Sequence, residues 1–132
     1  MEFSVGAAAE VTHAVAEPDT ARALGSGDVP VLGTPRVLAL LEAATVAAVA
    51  PGLADGQTSV GTRISLEHQA ATPIGRTVTA RARLVAVDGR RLSFEVTLTD
   101  GDTVAAFGTV ERVVVDRERF LARAQTPLVD RG

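Results

Sequence analysis

Between residues 32 and 52 the chain reads LGTPRVLALLEAATVAAVAPG, and this stretch constrains the fold more than any other. Thr34 followed by Pro35 marks a helix start, because threonine can cap free N–H groups and proline suits the first helical position. Pro51 and Gly52 stop the helix. From Val37 to Ala54 the one charged side chain is Glu42. The residues around it, among them Leu38, Leu40, Leu41, Val46, Val49 and many alanines, leave no polar face, so the helix is expected to be buried on all sides. Burying even a neutral polar group without a partner costs about 2–7 kcal/mol. A partner for Glu42 is therefore required.

The rest of the chain has the two-residue period of strands. In residues 58–70 (TSVGTRISLEHQA), Val60, Thr62, Ile64, Leu66, His68 and Ala70 fall on the apolar face, with Ser59, Gly61, Arg63, Ser65, Glu67 and Gln69 opposite. Residues 76–115 read as three further strands joined by tight hairpins at Asp88-Gly89 and Asp100-Gly101, since Asp-Gly between alternating runs is a strong hairpin signal. Leu92, Phe94, Val96 and Leu98 form the core face of the middle strand. In the last strand Val104, Ala106, Gly108, Val110, Arg112 and Val114 share a face, which puts an arginine on the apolar side unless its stem carries it to solvent.

Ahead of the helix, residues 10–17 form a first strand with Val11, His13 and Val15 on one face, His13 being read as a surface or edge residue. Residues 18–32 are rich in turn formers and are expected to be a flexible loop, either a plain connector or a lid. Residues 116–132 are expected to form a short capped helix, with Phe120 and Leu121 able to dock, and then a tail. With 132 residues the chain fits one domain. The order strand, helix, then four antiparallel strands makes it α+β, one sheet wrapped around the helix.

Composition excludes several function classes. The net charge is −3 and all 13 basic residues are arginines, which gives no broad footprint for nucleic acid or an anionic membrane. With no cysteine there is no disulfide, thiolate nucleophile or cysteine metal site. The N-terminus lacks a positive n-region, and no uncharged apolar run reaches membrane-spanning length, so a soluble cytoplasmic protein is expected.

Three polar groups remain on the interior side: Thr34, Glu42 and His68. Each has a plain structural reading, Thr34 as a helix cap and His68 as a core histidine satisfied by backbone. Thr34 and Glu42 are eight residues apart, so they share a helix face but lie about 12 Å apart along the axis. A substrate or a second subunit would have to bridge them.

The segments GTP at the helix start, LLEA in its middle, GTRISLEHQAATPIG on the next strand, and DGRRLSF and GTVER later resemble the fluoroacetyl-CoA thioesterase-like group of hot-dog-fold proteins. The resemblance runs from about Gly33 to Arg112. Thr34, Glu42 and His68 fall at that group's catalytic threonine, glutamate and histidine, and Gly61 and Arg112 at matched substrate-site positions, with no gaps between them. The resemblance implies a hot-dog fold, a curved antiparallel sheet around a long central helix, acting as a homodimer that hydrolyses an acyl-CoA thioester.

Coenzyme A would then be part of the substrate, with no separate cofactor and no metal. His68, oriented by Glu42, would be the general base, with Thr34 attacking the carbonyl or positioning water. Where the fluorinated-substrate enzymes carry aromatic lid residues before the helix, this chain has no phenylalanine between Phe3 and Phe94, and Ala43 is small where an aromatic follows the glutamate. A wider pocket for an ordinary short or medium acyl chain is expected. The alternative is a non-catalytic hot-dog module that binds an acyl-CoA or another hydrophobic small molecule.

Overall fold

The structure is a computed structural model that describes residues 2–127. In chain order its elements are β1 (Ala8–Ala14), α1 (Ala21–Leu24), α2 (Thr34–Val49), β2 (Gln57–His68), β3 (Thr77–Asp88), β4 (Arg91–Asp100), β5 (Thr103–Asp116) and α3 (Arg117–Gln125). The strands form one antiparallel sheet in the order β1-β3-β4-β5-β2, and α2 packs across it. Val37, Leu40, Leu41, Ala44, Ala48 and Val49 recur at helical spacing and meet Val78, Leu84, Leu92, Phe94, Leu98, Val110 and Val114 from the sheet. Each of the larger side chains contributes roughly 1.5–3 kcal/mol on burial. This is the α+β arrangement expected from the order of elements and the hot-dog fold that the resemblance implies.

The helix is not buried on all sides. Ala39, Ala43, Val46, Ala47 and Ala50 are exposed along the face away from the sheet. That face is apolar too, which is why the pattern of residue types did not reveal it. Counting its two charged residues, Thr34–Gly52 is long and apolar enough to cross a membrane by length and composition alone, but here one face of it lies on the sheet.

A bulge redirects β2. Gly61 pairs with Arg112 while Arg63 pairs with Glu111, so Thr62 is an extra residue on the β2 side. Ile64, Leu66 and His68 oppose Val110, Gly108 and Ala106 on the core face, as expected. Before the bulge the alternation is reversed: Ser59 and Gly61, read from sequence as outward, oppose Val114 and Arg112 and face α2, whereas Val60 and Thr62 do not.

Other boundaries shift for local reasons. The hairpins turn on Gly89-Arg90 and Gly101-Asp102, one residue later than expected. Glycine takes the positive φ at the first central position (60° and 59°), and among the described residues no non-glycine residue has positive φ. Residues 18–32 are less loop-like than their composition suggests. They include α1, and bridges between Thr20 and Leu32 and between Val31 and Pro73 tie them down. Phe120 and Leu121 of α3 do not dock, being 40% and 50% exposed. The end of the expected tail, residues 128–132, lies outside the described residues.

Candidate active site

Thr34 is the first residue of α2, and Gly33 occupies the cap position, where no side chain bonds to the helix N-terminus. The threonine hydroxyl is thus not a cap. It lies 2.7 Å from Nδ1 of His68, at the end of β2. For a threonine O–H to donate to Nδ1, the ring must be neutral with its proton on Nε2. Nε2 is buried and makes no hydrogen bond among the described residues. Burial pushes the His68 pKa below the ordinary imidazole value, and the Ala70 backbone offsets this only in part. Neutral His68 is the form able to accept a proton.

Glu42 is held by a different residue from the one expected. Its Oε2 accepts from the Arg112 guanidinium at 3.0 Å, and no hydrogen bond among the described residues links it to His68. Arg112 does not reach solvent along its stem. Its side chain is 7% exposed, with Nε donating to the Ser59 hydroxyl at 2.9 Å and the other terminal nitrogen to the Ser59 carbonyl at 3.0 Å. The Glu42 side chain is 32% exposed, so the ion pair lies at the edge of the core and opens toward the uncovered face of α2.

Gly61 completes this pair by lacking a side chain. It faces Glu42 across the gap between β2 and α2, where a β-carbon would meet the carboxylate. The five residues singled out from sequence therefore fall into two units in one protomer: Thr34 with His68, and Glu42 with Arg112 over Gly61. Ser59 was missed because the bulge at Thr62, which turns it inward, leaves no mark in the alternation of residue types. His13 lies on the edge strand as expected, but it also bonds to Asp19, which the sequence reading did not single out. Among the described residues no group of three or more histidine, aspartate or glutamate side chains could hold a metal ion.

Comparison with known proteins shows what this chain is similar to as a whole. The family model described as fluoroacetyl-CoA-specific thioesterase matches residues 15–118. A fluoroacetyl-CoA thioesterase from Streptantibioticus cattleyicolor is 46% identical over 99 residues, which cover 74% of this chain and 71% of that one. A crystal structure of a point mutant of the fluoroacetyl-CoA-specific thioesterase, in complex with fluoroacetate and CoA, superposes with a TM-score of 0.84. It is 40% identical, covering 89% of this chain and 99% of the other. A hot-dog-like protein from Thermanaerovibrio acidaminovorans superposes with a TM-score of 0.84 at 25% identity, over 92% of this chain and 90% of that one.

Proposed function

The chain belongs to the fluoroacetyl-CoA-specific thioesterase family, and from that premise we propose that it hydrolyses an acyl-CoA thioester to the free acid and coenzyme A, with Thr34 and His68 as the reacting pair. The observation that carries this reading is the 2.7 Å contact between the Thr34 hydroxyl and His68 Nδ1. Thr34 Oγ attacks the thioester carbonyl as its proton passes to Nδ1. The tetrahedral intermediate then expels the CoA thiolate, which takes that proton from His68 and leaves as the thiol. Water, deprotonated in turn by His68, cleaves the acyl-threonine and restores the hydroxyl. Pro35 has no N–H, and those of Arg36 and Val37 bond to the Gly33 carbonyl, so what the first turn of α2 offers a developing oxyanion is the partial positive charge of the helix N-terminus.

The acyl group proposed is an ordinary short or medium chain rather than a fluorinated one, because Ala43 is small and exposed and no aromatic side chain precedes α2 after Phe3. Gly61 and Arg112 are assigned to the substrate site through Glu42, which they hold in place. Coenzyme A enters as part of the substrate. Since CoA esters are made and consumed inside cells, the proposed setting is cytoplasmic.

The same reading includes a homodimer. Strand β2 is an edge of the sheet, twelve residues long, with Ile64 37% exposed, and beside it runs the uncovered alanine face of α2. Two β2 strands paired antiparallel run in opposite directions. The Gly61 end of one copy would then lie across from the His68 end of the other, so a Glu42–Arg112 pair would approach the Thr34–His68 pair of the second copy. Thiol release from a panel of acyl-CoAs, with sedimentation of the same sample, tests both parts. Turnover by a dimer is expected; CoA-ester binding without turnover would overturn hydrolysis, and a monomer would overturn the shared site.

A further inference from the structure

Asp19 belongs to neither of these pairs. It sits in the turn between β1 and α1, is 5% exposed, and is held by two hydrogen bonds and an ion pair. The hydrogen bonds come from the Ala16 N–H at 2.9 Å and His13 Nε2 at 2.8 Å, and the ion pair is with the Arg36 guanidinium, whose Nε lies 2.9 Å from the second carboxylate oxygen without the geometry of a hydrogen bond. Burial alone would raise the pKa of this carboxyl. The Ala16 N–H, His13 and Arg36 outweigh burial and hold it below the ordinary carboxylate value. A carboxylate so enclosed is tolerated only where such donors satisfy it.

What Asp19 grips is the first turn of α2. Its side chain holds Arg36, two residues after Thr34, and its backbone carbonyl accepts the Gly33 N–H at 2.9 Å, one residue before Thr34. Gly33 in turn accepts from the N–H groups of Arg36 and Val37. It also packs so tightly on α1 that a β-carbon there would lie 3.0 Å from the Ala21 α-carbon. His13 extends the chain of contacts to β1, which pairs with β3. Thr34 is therefore bracketed by two residues that Asp19 fixes, one through backbone and one through charge.

We propose that Asp19 is a positioning residue for catalysis: with Arg36 and His13 it braces the first turn of α2 so that the Thr34 hydroxyl meets Nδ1 of His68. The proposal rests on the reading of Thr34 and His68 as the reacting pair. A misplacement of about 1 Å at such a contact can cost on the order of a hundredfold in rate. Removing the Asp19 charge should thus act on the chemical step more than on substrate binding.

Asp19→Asn and Arg36→Gln test this. Each is compared with the wild type in steady-state hydrolysis of acetyl-CoA and in 15N NMR of the His68 imidazole, at a temperature where both variants keep native helix content. The expected result is a kcat lowered at least about tenfold with KM within about twofold, the His68 Nδ1 resonance moving toward that of an imidazole without a donor, and a double variant no slower than the slower single. Folded variants with wild-type kcat, or a lowered kcat with an unmoved His68 resonance, would overturn the proposal. If Asp19→Asn does not fold, Arg36→Gln decides alone, since that side chain is 35% exposed and its truncation is tolerable. If the wild type turns over no acyl-CoA, the catalytic reading fails, and the His68 resonance still decides whether the brace sets the contact.

Discussion

A β-carbon on Gly61 would stand 2.3 Å from Oε2 of Glu42, so the carboxylate rests directly on the backbone of β2. Gly61 does not have a positive φ, and alanine is free to adopt its backbone conformation. The atom in the way is the end of a side chain. In Gly61→Ala it is therefore Glu42 that must move, off Arg112, while the sheet stays as it is. Activity is expected to fall at least about tenfold, with the melting temperature within a few degrees of wild type, within about 1 kcal/mol of stability. Kinetics and a thermal melt on one preparation check this; a large loss of stability with full specific activity would show that Gly61 serves the fold and not Glu42.

The spacing of residue types was legible in the sequence; the partners of side chains and the exposure of alanines were not. Residue types at fixed spacing indicated the α2 stripe, the core face of β4, and Thr34, Glu42 and His68 on the interior side, whereas Gly61 and Arg112 were singled out by the family resemblance, Gly61 against an alternation that read it as outward. Side-chain partnership was not written there. Glu42 was expected to serve His68, but Arg112 on β5 reaches it first, because the bulge at Thr62 sets Gly61 rather than a larger residue beneath the carboxylate. The uncovered face of α2 was equally hidden, since alanine is compatible with burial and with exposure. The Asp19 brace was invisible because its members come from a strand, a turn and a helix with no common period.

Arg112 has no outlet to solvent, and its three nitrogens are committed to Glu42 and Ser59. Ser59→Ala removes the partner of Nε and should destabilise the protein by about 1–3 kcal/mol, the usual cost of leaving a charged donor unsatisfied. The Glu42–Arg112 bond is worth less than a fully buried pair because the carboxylate is a third exposed. A double-mutant cycle with Glu42→Gln and Arg112→Met is expected to show a coupling of about 1 kcal/mol. Urea unfolding of the four proteins measures it, and zero coupling would mean the pair is held by packing alone.

The depressed pKa of His68 has two consequences of known sign. Burial favours the neutral ring in the folded protein, so below the ordinary imidazole pKa of about 6.5 the unfolded chain binds more protons than the folded one. Stability from this site is complete above that pH and is lost as pH falls toward the lower folded-state value. The acid limb of kcat/KM should likewise have its midpoint below about 6.5, because neutral His68 is the base. His68→Asn should abolish the limb. A midpoint above the ordinary value would remove burial as the dominant influence on this histidine.

Thr34 separates the catalytic reading from the structural one most directly. As a helix cap it would lose about 1 kcal/mol of stability on conversion to a residue without a hydroxyl. In the structure it makes no cap bond, is exposed, and gives its hydroxyl to His68. Thr34→Val keeps the branched shape but leaves Nδ1 without a donor and the thioester without a nucleophile. It should lower kcat by about a hundredfold or more while the melting temperature stays close to wild type. Thr34→Ser keeps the hydroxyl and loses only the methyl group that restricts its rotamer, so it should retain activity within about tenfold of wild type. In acid-quenched samples taken during turnover, mass spectrometry should find the acyl group on the wild-type and serine proteins and not on the valine variant. An unmodified wild-type enzyme with normal turnover would transfer the attack to water and leave Thr34 to position it.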